Sequence, residues 1–111
     1  MKKIVFSNKA VKELEKVKQN PKFNPEQFKT VIEKIVNGEP LDPKYRDHKL
    51  AKNTDKKYSG LRDVHVSNDV VMLYRIDDDT LYISNIGTHS YLGLNEEIKE
   101  NLTWQIDNYI L

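Results

Sequence analysis

The spacing of apolar side chains predicts two amphipathic helices in the first third of the chain. After Ser7, which is a suitable N-cap, apolar residues recur at three-residue intervals, as on the buried face of a helix. A second helix is predicted to begin at Pro25, because Asn24 can cap it and proline suits the first helical position. Gly38 would end this helix. The segment Lys3–Phe6, which is apolar from Ile4 onward and precedes both helices, predicts a short strand.

After Gly60 the hydrophobic pattern changes to that of strands. Leu61–Ser67 alternates between apolar and polar residues, and Val70–Ile76 is a nearly continuous apolar run of the kind found in a central strand. A third strand is predicted over Leu81–Ile86, and the turns between the three are short. The sequence therefore predicts a three-stranded antiparallel meander.

The alternation in the first strand of this meander assigns its side chains to two faces. Val64 and Val66 fall on one face, whereas Asp63 and His65 fall on the other. Two helices followed by such a meander imply an α+β fold. We expect a small antiparallel sheet, made of the N-terminal strand and the meander, with both helices packed on one face.

A third helix is predicted near the end of the chain. Asn95 can cap it, and apolar residues recur every four positions over residues 95–110, which is typical of an amphipathic helix. We therefore expect one domain covering residues 1–111, in which residues 94–111 form a C-terminal helical extension.

Length and composition narrow the class of protein. A chain of 111 residues fits one domain, and 38% hydrophobic with 32% charged residues is typical of a soluble globular protein. No apolar run reaches the roughly 18 residues of a membrane span, and the N-terminus lacks the apolar stretch of a signal peptide. The absence of cysteine excludes disulfides and thiolate chemistry. We expect a cytoplasmic protein.

Charge is unevenly distributed, although the net charge is only +1. Residues 1–57 carry 15 Lys and Arg against 8 Asp and Glu, a net of +7, and residues 58–111 carry 3 against 9, a net of −6. A basic half could follow the phosphates of a nucleic acid. Two lysine-rich, solvated helices would give the same balance, so charge alone leaves both interpretations open.

Histidines are the main candidates for chemistry. The predicted meander places His65 near the end of its first strand, Asp69 in the turn that follows, and His89 at the same end of the sheet. Two strand spacings of about 4.8 Å would separate the two histidine backbones by roughly 10 Å, which leaves room for a phosphate group. Imidazole can donate or accept a proton near neutral pH. This arrangement suits cleavage of RNA by its own 2′-hydroxyl.

Other interpretations of the histidines stay open at this point. Each could be a structural residue, and three histidines with a carboxylate could also bind zinc. No two of the three histidines are closely spaced in sequence, so neither a metal nor another cofactor is expected. The basic side chains that could contact RNA phosphates are Arg46, Lys49, Lys52 and Arg62.

Four ordered motifs resemble those of YafQ-type toxins in the RelE superfamily. The resemblance covers roughly residues 3–93. The motifs that carry it are Asp47-His48-Lys49-Leu50, Gly60-Leu61-Arg62-Asp63-Val64-His65, Leu73-Tyr74-Arg75-Ile76 and Gly87-Thr88-His89-Ser90. It implies a ribosome-dependent messenger-RNA endonuclease, the toxin of a type II toxin–antitoxin pair. It also implies a DinJ-like antitoxin partner in a hetero-oligomeric complex.

The resemblance further implies which residues carry the chemistry. The catalytic group of the family falls on His48, His65, Asp69 and His89. His89 would be the general acid, and His48 or His65, aided by Asp69, would be the general base.

Two positions depart from the pattern of the family. Val70 stands where an aromatic residue is frequent, and Asn85 stands where an arginine is usual. Without that arginine, Arg62 or a lysine of the loop would have to stabilise the transition state. The departures keep a second hypothesis open, in which the chain is a catalytically weak RNA- or ribosome-binding module, or an antitoxin-interaction protein, on the same fold.

Overall fold

The computed structural model of this chain describes residues 3–50 and 56–94. Its helices and strands, in chain order, are β1 (Lys3–Phe6), α1 (Asn8–Lys18), α2 (Pro25–Val36), β2 (His48–Lys49), β3 (Arg62–Ser67), β4 (Val70–Asp77), β5 (Thr80–Thr88) and the short helix α3 (His89–Leu92). The helix predicted for residues 95–110 lies outside the described residues. Within the described ranges, no helix has the length and apolar character needed to cross a membrane.

Both N-terminal helices begin at the predicted caps. The Ser7 side chain accepts a hydrogen bond from the Ala10 backbone N–H at 2.9 Å, and Asn24 accepts one from the Gln27 N–H at 3.1 Å. These bonds satisfy backbone donors that have no partner inside the helix. The predicted positions of α1 and α2 are confirmed.

The α+β class is also confirmed, with a sheet of five strands in the order β1-β5-β4-β3-β2. β3, β4 and β5 form the expected antiparallel meander. The sheet differs from the prediction in one respect: β1 pairs with β5 in parallel, with Ile4 opposite Leu81, so the sheet is mixed. A parallel pair needs a long connection, and the whole chain between β1 and β5 supplies it.

The fifth strand, β2, lies in the loop that shows no periodicity in sequence. It consists of two residues paired antiparallel with β3, so that His48 lies opposite Asp63 and Lys49 opposite Arg62. Two residues are too few to produce a detectable alternation, and for this reason the sequence does not predict the strand.

The sheet has an apolar core on each face. The face that carries Val64 and Val66 packs against α1 and α2, and its buried residues include Ala10, Val31, Met72, Ile83 and Ile86. The opposite face carries a smaller cluster of Tyr58, Leu61, Val71, Leu73, Leu92 and Leu94. The helices therefore cover one face, as predicted, and the Asp63 side of β3 faces the smaller cluster.

Glu13 is a buried acidic residue of α1, with 4% of its surface exposed. Its Oε1 accepts a hydrogen bond from the Ile86 backbone N–H at 2.9 Å, and the Asn85 amide nitrogen lies 3.4 Å from the same oxygen. The same carboxylate lies close enough to the Tyr91 hydroxyl to raise the pKa of Tyr91. One carboxylate thus connects α1 to the end of β5 and to α3.

We expect Glu13→Ala to lower the free energy of unfolding by about 1–3 kcal/mol, because the buried Ile86 N–H would lose its acceptor. Urea denaturation measures the change. The matched control is Glu15→Ala, since the Glu15 side chain on the same helix is 68% exposed and its removal should leave stability unchanged. Equal effects of the two substitutions would contradict a structural role for the Glu13 carboxylate.

Candidate active site

Register brings the predicted histidines to one face of the sheet. His48 on β2 lies directly opposite Asp63 on β3, and residues that are directly opposite project to the same side of a sheet. His65 follows Asp63 by two positions and therefore shares that side. His89, the first residue of α3, places its Nε2 2.9 Å from Asp63 Oδ2. Two strands and the start of a helix thus bring the histidines to the side of the sheet that carries Asp63.

The two histidine rings nearest Asp63 are in direct contact. The centroids of the His65 and His89 rings are 5.2 Å apart, and the rings meet edge to face at 69°. The expected gap of a phosphate's width between these rings is therefore wrong. His89 lies beyond the end of β5, so its side chain reaches across β4 to β3 instead of staying above its own strand.

Asp63 is the residue of this group that sequence reasoning does not assign to the site. Its side chain is fully buried, and its Oδ1 has no hydrogen-bond partner among the described residues. An aspartate in an alternating strand is normally interpreted as solvent-facing. The available signal is its two-residue spacing from His65, which places both on one face.

Burial sets the protonation of His65. It lowers the pKa of the imidazole, and Asp63 opposes this by favouring the charged form. The nearby charges of His89 and Arg46 lower the pKa further, while a hydrogen bond to the Asn68 backbone raises it. The net direction is down, so His65 stays neutral at neutral pH. Its Nε2 is buried and has no hydrogen-bond partner in the described part of the chain.

The hydrogen bond of His48 defines which of its nitrogens carries the proton. Nδ1 lies 2.7 Å from the Arg46 carbonyl oxygen. A carbonyl can only accept, so Nδ1 donates, and in the neutral ring Nε2 carries the lone pair. A neutral imidazole with its lone pair on a defined nitrogen is the form that a general base requires.

Asp69 lies in the exposed turn between β3 and β4. It lines a cleft with Lys22 and Phe23 from the α1–α2 connection, and it is not part of the group that Asp63 forms with His65 and His89. The turn lies at the His89 end of the sheet, because Val70 pairs with Thr88. The catalytic role of Asp69 stays a prediction.

The predicted phosphate-binding residues fall into different surroundings. Arg46 is exposed, has a positive φ of 53°, and lies close enough to His65 to influence its pKa. Lys49 is exposed on the edge strand, and Lys52 lies outside the described residues. Arg62 pairs with Asp47, Nε to Oδ1 at 3.2 Å, on the side of the sheet away from His65.

The Asp47–Arg62 ion pair also contacts Tyr74 on β4. The Tyr74 hydroxyl donates to Asp47 Oδ1 at 2.7 Å, and the hydrogen bond with Asp47 raises the pKa of Arg62. Asp47 directly precedes His48, so these contacts hold the segment that carries the histidine. The Arg62 guanidinium therefore helps to hold the segment that carries His48. It lies on the opposite face of the sheet from the histidines.

A metal ion could be held by part of this group. One ligand atom from each of Asp63, His65 and His89 lies within 4.8 Å of the others, and imidazole with carboxylate suits several transition metals. Sequence spacing disfavours a metal site, but these ligands come from two separate elements, which spacing along the chain does not reveal.

Comparison with known proteins gives the class and then the family. The family model for bacterial toxins of type II toxin–antitoxin systems, YafQ, matches residues 2–93. This match places the chain among the bacterial toxins of such systems. Within that class, the chain belongs to the YafQ family. The resemblance seen in the ordered motifs is confirmed.

Individual relatives and solved structures agree with this assignment. The mRNA interferase toxin YafQ of Escherichia coli, in strains B / BL21-DE3 and K12, is 36% identical over 58 residues, 52% of this chain. The chain thus matches 59% of the length of these curated relatives. A copper-bound mutant toxin from Helicobacter pylori has a TM-score of 0.72 at 32% identity, covering 83% of this chain and 99% of that one. The Escherichia coli DinJ–YafQ complex gives 0.68 at 28% identity, covering 83% and 98%.

We expect His65 to titrate below its ordinary pKa of 6.5, because burial penalises the imidazolium. Following the ring C–H resonances by NMR as the pH is lowered measures the midpoint directly. The direction of the shift means that His65 remains neutral as the pH falls through 6.5. A midpoint at or above 6.5 would contradict the buried position of the ring.

Proposed function

We propose that this protein is the toxin of a toxin–antitoxin pair and cleaves messenger RNA on the ribosome by metal-independent acid/base chemistry. The observation that carries the proposal is the convergence of three histidines on one face of the sheet. The family, and the mRNA interferase activity named for its relatives, support RNA as the substrate. The chemistry needs no cofactor, because RNA supplies its own nucleophile.

The orientation of the rings supports a division of roles. His48 accepts the proton of a 2′-hydroxyl on Nε2, since its Nδ1 is engaged with the Arg46 carbonyl. The freed oxygen attacks the neighbouring phosphorus, and the bond from phosphorus to the 5′-oxygen breaks. His89 gives its proton to that leaving oxygen. The products are a 2′,3′-cyclic phosphate and a 5′-hydroxyl. His65 is the alternative base, although its Nε2 is buried.

The negative charge of the transition state needs a cation near the histidines. Asn85 occupies the position at which the family tends to carry arginine, and it is buried against Glu13. Arg62 is engaged with Asp47 on the other side of the sheet. Arg46 is exposed and within electrostatic reach of His65. We therefore assign phosphate stabilisation to Arg46, with Lys49 and Lys52 along the path of the RNA.

A DinJ-like antitoxin is the proposed partner of this toxin. The solved DinJ–YafQ complex of Escherichia coli resembles this chain over 83% of its length. The proposal is supported if a small protein encoded beside this gene co-purifies with the toxin and relieves its effect on growth.

A second candidate function is a catalytically weak RNA- or ribosome-binding module. Two observations favour it: Asn85 contacts Glu13 and not the histidines, and Val70 is packed in the core. Such a module would occupy translated messages without cutting them. Primer extension on these messages after induction separates the two functions, because only cleavage produces new 5′ ends.

We expect His89→Gln to reduce cleavage of translated messenger RNA by about 100-fold or more, as is usual for loss of a general acid. Growth arrest on induction should disappear with it. Primer extension in a purified translation system measures the rate. The control is Ser90→Ala, the next residue on α3, which is exposed and should cleave normally. Undiminished cleavage by His89→Gln would exclude the proposed acid.

We expect Arg46→Gln to lower kcat by about 100-fold, the usual cost of removing one group that stabilises transition-state charge. Arg75→Gln is the matched control, because Arg75 is exposed and pairs with Asp77 at the far end of β4. Single-turnover cleavage in the same system measures both. If the two variants lose activity equally, Arg46 acts only through the general charge of the protein.

A further inference from the structure

The burial of Asp63 requires a physical explanation. Its carboxylate is fully inaccessible to solvent, and transfer of a carboxylate out of water is costly unless a partner compensates. Its neighbour across the strand pair is Leu73, which belongs to the apolar cluster on this face. An apolar side chain would therefore fit the position at lower cost. The contact that distinguishes aspartate here is the one with His89, at 2.9 Å.

That contact has a defined donor. A carboxylate can only accept hydrogen bonds, so the proton between the two residues lies on His89 Nε2. The neutral His89 ring then carries its lone pair on Nδ1, and the imidazolium differs from it by one proton on Nδ1.

The ring of His89 is also restrained from a second direction. The His65 ring packs edge to face against it, with centroids 5.2 Å apart. Asp63 therefore fixes which nitrogen is protonated, and His65 limits rotation of the ring about its side-chain bonds.

We propose that Asp63 is a positioning residue for His89: its buried carboxylate accepts the Nε2–H bond and holds the ring in a single tautomer and a single orientation for proton transfer. Asp63 does not touch the substrate and acts only through His89. The consequence for catalysis rests on the proposed function, whereas the hydrogen bond and the tautomer do not.

The first test uses the wild-type full chain labelled with nitrogen-15. Long-range proton–nitrogen spectra, recorded at a pH where His89 is neutral, should show the proton on Nε2. A proton on Nδ1, or a mixture of tautomers, would overturn the proposal. This measurement needs neither a variant nor RNA cleavage, so it decides the structural claim even if the protein has another function.

The second test compares Asp63→Asn with Asp77→Asn. An amide can donate as well as accept, so Asp63→Asn should leave His89 in a mixture of tautomers. It should also lower kcat by about 100-fold or more, as loss of an orienting carboxylate does in a catalytic triad, with KM unchanged. Asp77 is exposed and pairs with Arg75, so its variant should behave as wild type.

The outcomes separate this inference from the proposed function. Normal kcat in Asp63→Asn together with an altered tautomer would overturn the positioning role and leave the nuclease assignment intact. Absence of cleavage by the wild-type protein would overturn the nuclease assignment, and the tautomer of His89 would still decide the role of Asp63. A rise in KM without a fall in kcat would place Asp63 in RNA binding and contradict the proposal.

Discussion

The alternation of side chains along β3 is the constraint on which both the core and the candidate site depend. Val64 and Val66 enter the core beneath the helices, and this packing fixes the register of the strand. The same register sends Asp63 and His65 to the opposite face. A slip by one residue would place the histidine under the helices and turn the valines to the opposite face. The hydrophobic core therefore positions the chemistry without contributing a polar atom to it.

Two buried carboxylates organise the surroundings of His89. Asp63 holds the ring of His89 from β3, and Glu13 holds the end of β5 from α1 and lies near Tyr91 of α3. Each carboxylate joins elements that are distant in sequence. The Asn85 amide donates to the Glu13 carboxylate. This region of the sheet therefore carries a carboxylate near the position where an arginine is usual in the family. The proposed cation for catalysis is accordingly Arg46, in the loop before β2.

Periodicity and capping residues predicted most of the fold, since they act over short distances. Ser7 and Asn24 cap α1 and α2 as expected, and the meander follows from its turns. The parallel pairing of β1 was not predicted, because an apolar run specifies a face and not a direction. The two residues of β2 were not predicted because they are too few to show a period.

The sequence predicts which histidines belong to the candidate site, but it does not predict the contacts between them. The sequence placed His65 and His89 at one end of the sheet, and the structure brings them together. The direct contact between the His65 and His89 rings depends on the direction in which α3 continues from β5. The hydrogen bond between His89 and Asp63 depends on a side chain that reaches across β4. Neither can be derived from spacing along the chain. The importance of Asp63 was hidden for the same reason.

The length of β2 has a consequence for the energetics of the site. β2 is an edge strand of two residues, whereas Asp63 and His65 lie on a six-residue strand paired on both sides. Short edge elements open at lower free energy than the centre of a sheet. Local opening of β2 would therefore remove His48 while the Asp63–His89 pair stays intact. The two proposed proton-transfer groups, His48 and His89, are thus held by parts of the molecule with unequal local stability, so the site can lose one of them while the other stays in place.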